Sequence, residues 1–558
     1  MFRVMLGKAT QTIGWARPTA LLLLIALLLF SMFRHLSYPL LWNDESFSAM
    51  FGQRVVEYGY PKVRGERNVV YGLRQDPSIG VDSEHGAYLG SPWGQYYVAA
   101  LGVALAAPFD DPYEKTARLR LPFALAGVGG VGVLIAAILP AFARGGRRYE
   151  AAIAFLLLVL CSTSLLLHLR EVRYYALALL LSAGVVWLFA QRHIYRALGW
   201  GAYSCGLALA LVLLCNTFYP LFGVFGLVLA LDAGLRALRS EDEWAHRGRR
   251  LLEDLLPLGI ALAGALPTIL YLNLFAVTDA FIAMYEGAAQ NRYGPVLSTV
   301  FLHLLRYEFL GAALLSRASV VWLSWGGTTG EGMRRRRALA SSLFGFCIVY
   351  VLVVARTPFF YERYYLVVGP MLTAVVVLDL LSLLALGRRG VCGARWLSAA
   401  LAATLFVSVS IRLPELEGRV REWATPYRGP LDVLIPYLRD RFDQPEKLVI
   451  ATDYEGPAFM YYLGSHVTVG YYGANLEEDL TIDPDVIIPR YWPGQKPALA
   501  RLRSRAGWVR RDFPVAGLPA NNVPSLSPRN QASGFTHRFE TVLAERPDQR
   551  VFLLERVE

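Results

Sequence analysis

Two adjacent carboxylates, Asp44 and Glu45, stand just beyond the first long apolar run, in the segment Leu40-Leu-Trp-Asn-Asp-Glu-Ser-Phe-Ser. Arg170, Glu171 and Arg173 lie within Leu167-His-Leu-Arg-Glu-Val-Arg-Tyr-Tyr-Ala-Leu177, and Glu362 with Arg363 within Thr357-Pro-Phe-Phe-Tyr-Glu-Arg-Tyr-Tyr-Leu366. A positioned carboxylate can take the proton of a hydroxyl as it attacks. Guanidinium forks grip phosphate oxygens through paired hydrogen bonds, and carboxylates hold the forks in place. The set therefore reads as base chemistry beside an anionic phosphate. A plainer reading stands next to it: Asp44 and Glu45 as a solvated helix end, and the arginines as structural ion pairs between helix ends. What favours chemistry is that all three segments fall at one face of the membrane on the topology below, where ionisable residues are costly and often functional.

The elements that must carry these residues are membrane spans. A 558-residue chain with 55% hydrophobic residues and a mean hydropathy of +0.38 exceeds what a soluble core uses. Apolar runs long enough for a ~30 Å hydrocarbon layer occur at 19–33, 119–141, 150–167, 173–190, 198–215, 218–235, 254–271, 308–325, 338–355, 364–386 and 395–411. The expectation is a polytopic α-helical membrane protein with about eleven transmembrane helices. Arginine clusters (Arg144/Arg147/Arg148, Arg192/Arg196, Arg236 to Arg250, Arg334 to Arg337, Arg388/Arg389/Arg395) fill every second gap, the mark of cytoplasmic loops. With Arg3, Lys8 and Arg17 before the first span, the N-terminus is placed inside. The Asp44 loop and the C-terminus are then outside.

Trp93 to Phe109 is apolar enough to resemble a span, yet counting it would turn every later arginine cluster outward. It is read as an interfacial helix within a long first outer loop, 34–118. The stretch Pro295 to Gly327 is interrupted by His303, Arg306, Glu308 and Arg317, so its boundaries are the least defined. The first run has the basic start and apolar middle of a cleaved leader, but the region of Ser48-Ala-Met matches the cleavage rule poorly, and it is read as a span.

Residues 1–411 hold 36 Lys+Arg against 24 Asp+Glu, and residues 412–558 hold 19 against 20. The net charge of +11 thus belongs to the membrane part, as topology signal and attraction to anionic lipid, with no nucleic acid required. Cys161, Cys205, Cys215, Cys347 and Cys392 lie in spans or a cytoplasmic loop and imply no disulfide framework. After Arg412 the pattern becomes soluble. Leu431 to Arg441 reads as an amphipathic helix, and short apolar runs follow at 448–452, 467–472, 485–489 and 551–554. Asn521 to Ser533 reads as a loop. The domains expected are 1–411, transmembrane, and 412–558, a small extracytoplasmic α/β domain.

Two motif matches are set aside. Gly127-Val-Gly-Gly-Val-Gly132 has the letters of a dinucleotide fingerprint but lies in a span, where small residues permit close helix packing. Asp483-Pro-Asp485 resembles a metal-binding Asp-x-Asp but precedes a strand and reads as a turn. An outer face offers no nucleotide sugars, so any glycosyl donor there is lipid-linked.

Four local patterns resemble the integral membrane GT-C glycosyltransferases, particularly the protein mannosyltransferase and lipid A aminoarabinose transferase branch. They are Asp44-Glu45 after the first span; Ser91-Pro-Trp-Gly-Gln-Tyr-Tyr97, similar to the His-Pro-Pro-Leu-Tyr-Tyr segment of the first outer loop; Ala117-Arg-Leu-Arg-Leu-Pro-Phe-Ala-Leu-Ala-Gly127, similar to the entry of the second span; and the arginine segments quoted above. Their order and topology agree over about residues 20 to 385. The change of His-Pro-Pro to Ser-Pro-Trp removes that histidine. His85, beside Asp82 and Glu84, is the nearest one, either touching a metal ion or the sugar or standing in a solvated loop. The resemblance implies transfer of a sugar from a polyprenyl-phosphate donor to a lipid, glycan or protein acceptor at the outer face, with inversion. Asp44 is then the expected base, poised by burial or by its neighbour Glu45. Arg170, Arg173 and Arg363 neutralise the departing phosphate, Glu171 orients them or touches the sugar, and Tyr96 and Tyr97 wall the cavity. No cofactor is required, and a divalent metal is left open. A flippase or transporter of lipid-linked sugars is the alternative; it predicts charge pairs at mid-membrane depth.

Overall fold

The computed structural model describes residues 2–70, 80–143, 145–239, 244–279, 293–325, 330–357, 360–470, 476–490, 496–517 and 539–557, with side chains from residue 16 onward. The loop expected at Asn521 to Ser533, and Arg144 of the first arginine cluster, lie outside the described residues. So do the side chains of Arg3 and Lys8.

The chain is an integral membrane protein. Among the described residues, eight helices are long and apolar enough to cross a membrane, and a bent pair makes a ninth. The difference from eleven has two causes. Helix α8, Trp200–Arg239, contains 40 residues, or ~60 Å, twice the hydrocarbon thickness. It breaks at Phe218 (φ −151°, ψ 87°) beside Pro220, as a proline-removed hydrogen bond allows. Its two ends then meet. The Tyr203 ring lies 5.1 Å from His193, and the Arg236 guanidinium sits 5.8 Å over Phe189, whose own ring is 5.1 Å from His193. This element is a hairpin of two helices, as the runs 198–215 and 218–235 require. The run at 150–167 is likewise split, into α5 (Gly146–Leu160) and the short α6 (Thr163–His168).

The remaining membrane helices are α1 (Phe2–Phe33), α4 (Pro112–Ile138), α7 (Tyr175–Phe189), α9 (Trp244–Tyr271), the bent pair α10 (Tyr293–Tyr307) and α11 (Leu310–Leu323), α12 (Glu331–Val354), α13 (Val368–Arg388) and α14 (Ala394–Ile411). Helices α10 and α11 meet at 82°, turning at Glu308-Phe309, where Phe309 takes a left-handed φ of 57°. That bend explains why the pattern from Pro295 to Gly327 was broken. Helix α4 packs on the end of α6 through Gly127 and on α7 through Gly130; a Cβ on Gly127 would stand 2.9 Å from the Leu169 Cβ, and one on Gly130 2.9 Å from the Leu179 Cγ. The glycine motif is therefore a packing seam.

The segment between α1 and α4 carries two helices, α2 (Asn43–Tyr58) and α3 (Gly94–Ala106). Helix α3, with 13 residues, is too short to span. Helix α2 forms because Phe47, Met50, Phe51 and Val55 recur at helical spacing, and Asp44 and Glu45 occupy its first turn, where carboxylates favour the helix dipole.

Beyond Arg412 come α15 (Leu413–Ala424), α16 (Leu431–Arg441) and a five-stranded sheet of order β2-β1-β3-β5-β4, with β1 (Val449–Thr452), β2 (His466–Val469), β3 (Val486–Ile488), β4 (Trp508–Ala516) and β5 (Arg550–Arg556). The first three are parallel; β5 runs antiparallel between β3 and β4. Helix α17 (Gly456–Leu463) joins β1 to β2. Asp485 accepts the Val449 N–H at 2.8 Å, and Asp483 pairs with Arg556 at 3.4 Å, so the Asp-Pro-Asp segment is a turn. One apolar core runs from Leu40, Phe123 and Leu166 through to Leu434, Phe459 and Leu553. The composition changes at Arg412, but the packing does not.

Candidate functional site

Three chain segments converge at the end of the helix bundle that faces the sheet: the first turn of α2, the link from α6 to α7, and the link from α12 to α13. Asp44 Oδ2 lies 3.4 Å from Arg363 Nη2 and 3.9 Å from Arg173 Nη2. The Asp44 side chain retains 24% exposure, Arg363 17% and Arg173 18%, so the trio is recessed yet open to a ligand. Arg173 also donates to the Asp44 carbonyl and the Ser48 Oγ, each at 3.4 Å. The Arg363 guanidinium lies 4.5 Å over the Tyr361 ring and 5.0 Å over Trp42, contacts that hold a cation while leaving its fork free to turn. Burial works against the Arg363 charge, but Tyr175, Asp44 and Tyr364 outweigh it and raise its pKa.

Glu45 points the other way. It is fully buried and accepts from Arg120 through both oxygens, at 2.8 Å and 2.6 Å, and from the Val172 N–H at 3.0 Å. Arg120 spends its third nitrogen on the carbonyls of Leu36 and Pro39, at 3.0 Å and 2.8 Å. Glu45 is thus a clamp that fixes α2, the loop before it and the Arg173 segment, and does not share the Asp44 recess. Arg170 is also turned away. Its guanidinium is buried against Glu422 of α15 at 2.5 Å and donates to the Arg34 carbonyl at 3.2 Å. Glu171 is buried with its Oε2 3.0 Å from His168 Nδ1.

The two tyrosines part company. Tyr96 is buried, shares a 2.7 Å hydrogen bond with Ser91 and packs on Phe51 and Tyr88; burial pushes its phenol up, so it remains a neutral donor. Tyr97 is 49% exposed and donates to the Gly59 carbonyl at 3.0 Å. His85 is exposed and paired with Asp82 at 3.0 Å, within its own loop. Asp82 also accepts from Tyr271 at 3.3 Å. Among the described residues no group of three His, Cys, Asp or Glu side chains stands together to hold a metal ion. The donor set around Asp44 is cationic, so a divalent metal does not fit it.

Several neighbours were not singled out from sequence. Tyr174 stacks on Phe218, the residue at the hairpin break, at 4.6 Å and 10°, and Phe218 lies 6.5 Å from Tyr364. An aromatic wall of Trp42, Tyr174, Phe218, Tyr361 and Tyr364 therefore surrounds the recess, the type of surface that a sugar ring packs against. The Tyr-Tyr pairs following each arginine were its sequence signal. At mid-depth, Arg317 of α11 and Asp379 of α13 form a buried 2.9 Å pair. The other interrupting charges lie elsewhere: Glu308 accepts from Ser162 at 3.2 Å, and Arg306 lies over Tyr307 at 5.3 Å. A groove of about 530 Å³, lined by apolar residues including Phe301, Leu304, Leu314, Phe344, Val368 and Leu372, separates the bent pair from α12 and α13. Its Val368 is just past Arg363.

No family model matches the sequence, and no curated protein is significantly similar to it. Solved structures are. The crystal structure of ArnT from Cupriavidus metallidurans bound to undecaprenyl phosphate superposes with a TM-score of 0.54 at 12% identity, covering 97% of this chain and 98% of that one. The chain has the ArnT fold. The apo ArnT structure agrees, with a TM-score of 0.54, 14% identity and 98% of each chain covered. ArnT is a lipid A aminoarabinose transferase with the GT-C architecture, the fold that the four sequence patterns imply. At this identity the likeness concerns architecture over nearly the whole length, including the sheet beyond Arg412.

Proposed function

We propose that this protein is a glycosyltransferase that moves a sugar from a polyprenyl-phosphate donor to an acceptor hydroxyl at the outer face of the membrane. The observation that carries the reading is the recess in which one carboxylate, Asp44, faces two guanidiniums, Arg363 and Arg173, at 3.4 Å and 3.9 Å. The fold supports it, since an ArnT structure of the same architecture was obtained with undecaprenyl phosphate. So do the aromatic wall and the apolar groove beside Val368, which suits an isoprenoid tail.

The chemistry follows from charge. The two guanidiniums lie close enough to neutralise Asp44. A donor phosphate entering the recess competes for them, and paired N–H donors favour phosphate oxygens. Asp44 is thereby released to accept the acceptor's proton on Oδ2. The acceptor oxygen forms its bond to the anomeric carbon from the face opposite the phosphate, the bond from that carbon to the phosphate oxygen breaks, and the electron pair leaves with the polyprenyl phosphate. Arg363 and Arg173 stabilise that leaving anion. Such an in-line exchange inverts the anomeric centre.

The arginine clusters support the orientation. Arg336 donates to the Ala141 carbonyl and lies within electrostatic reach of Arg147 and Arg389, so clusters from separate gaps gather at one end of the bundle, away from Asp44. By the positive-inside rule that end is cytoplasmic and the sheet is extracytoplasmic. The transporter reading has one observation in its favour, the mid-depth Arg317–Asp379 pair. That pair is buried, with Arg317 also donating to the Arg337 carbonyl and Ser341 of α12, whereas the recess presents its charges to a ligand. The test is transfer of labelled sugar from a panel of polyprenyl-phosphate monosaccharides by membranes containing the protein. A labelled product is expected; movement of the intact donor across sealed vesicles with no transfer would favour the transporter.

A further inference from the structure

His168 closes the C-terminal end of α6 and is 1% exposed. Its Nδ1 lies 3.0 Å from Glu171 Oε2 and its Nε2 3.4 Å from Glu362 Oε1. The two glutamates lie 191 residues apart in sequence, and each adjoins one of the arginines of the recess: Glu171 precedes Arg173 by two residues, and Glu362 precedes Arg363 directly. One imidazole therefore ties together the two links that deliver the guanidiniums to Asp44. The Tyr175 ring, edge-on at 5.6 Å, fixes the plane of the imidazole.

Hydrogen-bond counting sets its charge. A neutral imidazole has one N–H and one lone pair, and a lone pair turned toward a carboxylate oxygen repels it. Only the imidazolium donates to both glutamates. We infer that His168 is a charged positioning residue, whose imidazolium braces Glu171 and Glu362 so that Arg173 and Arg363 converge on the donor phosphate. It touches neither the phosphate nor the sugar. The inference deepens the transferase reading and rests on it.

Other charges surround this brace. Glu308 from the bend between α10 and α11, and Glu415 from α15, both act on Glu362, and the Arg412 charge acts on both of them. From the end of α1, the Arg34 carbonyl holds Arg170, the residue preceding Glu171. Glu171 and Glu362, the carboxylates in direct contact with it, favour the imidazolium. As pH rises and the imidazolium loses its proton, one glutamate loses its donor, the two carboxylates repel, and the arginine-bearing links part. Affinity for a phosphate should fall in step.

The experiment measures binding of radiolabelled undecaprenyl phosphate to the full-length chain in lipid nanodiscs between about pH 6 and pH 10, a range that brackets imidazole titration beside carboxylates. The wild type is expected to weaken about tenfold across that range, ~1.4 kcal/mol. His168→Gln, close in size and unable to carry charge, is expected to bind about tenfold more weakly at the acid end and to show a flatter profile. Glu362→Gln removes one of the two carboxylates without touching the histidine, and is expected to shift the midpoint to lower pH. A His168→Gln protein with wild-type affinity and slope would overturn the inference, as would an unmoved midpoint in Glu362→Gln. Absence of binding by the wild type, with the fold intact, would instead overturn the polyprenyl-phosphate reading on which it rests.

Discussion

Asp432 Oδ1 accepts the Leu40 N–H at 3.0 Å, across 392 residues of sequence. Beside it the Tyr462 hydroxyl accepts the Leu41 N–H at 3.0 Å and shares a 2.5 Å hydrogen bond with Thr116. The backbone that leads into Asp44 is therefore held by residues of α16 and α17, from the region beyond Arg412. Asp432 is itself fixed by the Gly429 N–H at 2.8 Å. The sheet region acts on the recess through this grip whatever else it binds. Losing this buried acceptor costs ~1–3 kcal/mol. Asp432→Ala should lower the transfer rate about tenfold while leaving donor binding near its wild-type value, because the arginines come from other segments. A rate equal to wild type would show that Asp44 is placed without this contact.

Glu45 and Asp44 are neighbours with opposite duties, and stability separates them. Glu45→Gln breaks a buried pair with Arg120, whose loss of one partner typically costs ~3–5 kcal/mol. Its thermal midpoint in detergent should fall by several degrees. Asp44→Asn, at a partly exposed position beside two arginines, should hold its midpoint. Equal midpoints for the two variants would contradict the division.

Arg363 should not be replaceable by lysine. Its planar fork faces Asp44 and rests on Tyr361 and Trp42, and in the proposed reaction it grips the phosphate; an ammonium offers a point charge without the plane. Arg363→Lys should weaken undecaprenyl phosphate binding about tenfold or more, a loss of one charge-assisted pair of hydrogen bonds. Arg170→Lys should leave binding unchanged, since that guanidinium faces Glu422. Isothermal titration of the two variants distinguishes them.

Glu415 predicts a pH dependence of stability. Burial pushes its carboxyl up to about 8, against the pull of Arg412. The folded chain keeps this proton over a range in which the unfolded chain has released it. The contribution to stability is therefore complete below the unfolded value and lost as pH rises through about 8. The wild-type thermal midpoint should decline from about pH 5 to pH 9, and Glu415→Gln should flatten that decline. A variant with the full wild-type slope would assign the effect to another group.

Much of the architecture could be read from apolar runs and arginine spacing, because the bilayer demands long helices and marks their ends with charge. The break at Phe218 and the bend at Glu308-Phe309 were less legible, since both depend on how helices pack. Helix α2 was missed inside a presumed loop although Phe47, Met50, Phe51 and Val55 carry its period. Strand β4 was missed because Arg510, Arg511 and Asp512 give it the charged surface of an edge strand. In the recess, the types and order of residues pointed to Asp44, Arg173 and Arg363 together. Sequence adjacency could not tell Asp44 from Glu45, since successive helical residues point about 100° apart, nor Arg173 from Arg170, which lie in the non-helical link between α6 and α7. His168 stood in the quoted segment, and only its contacts revealed its place.

The central claim is that Asp44 takes the acceptor's proton while Arg363 and Arg173 hold the phosphate. The measurement that tests it most directly is single-turnover transfer from a labelled polyprenyl-phosphate sugar by purified wild type and Asp44→Asn, with donor binding followed in the same samples. A base of this kind contributes ~10²–10⁴-fold. The variant should bind the donor at least as tightly as wild type, its arginines no longer drawn to a carboxylate, while transfer falls by at least a hundredfold. Transfer by Asp44→Asn at the wild-type rate would contradict the account.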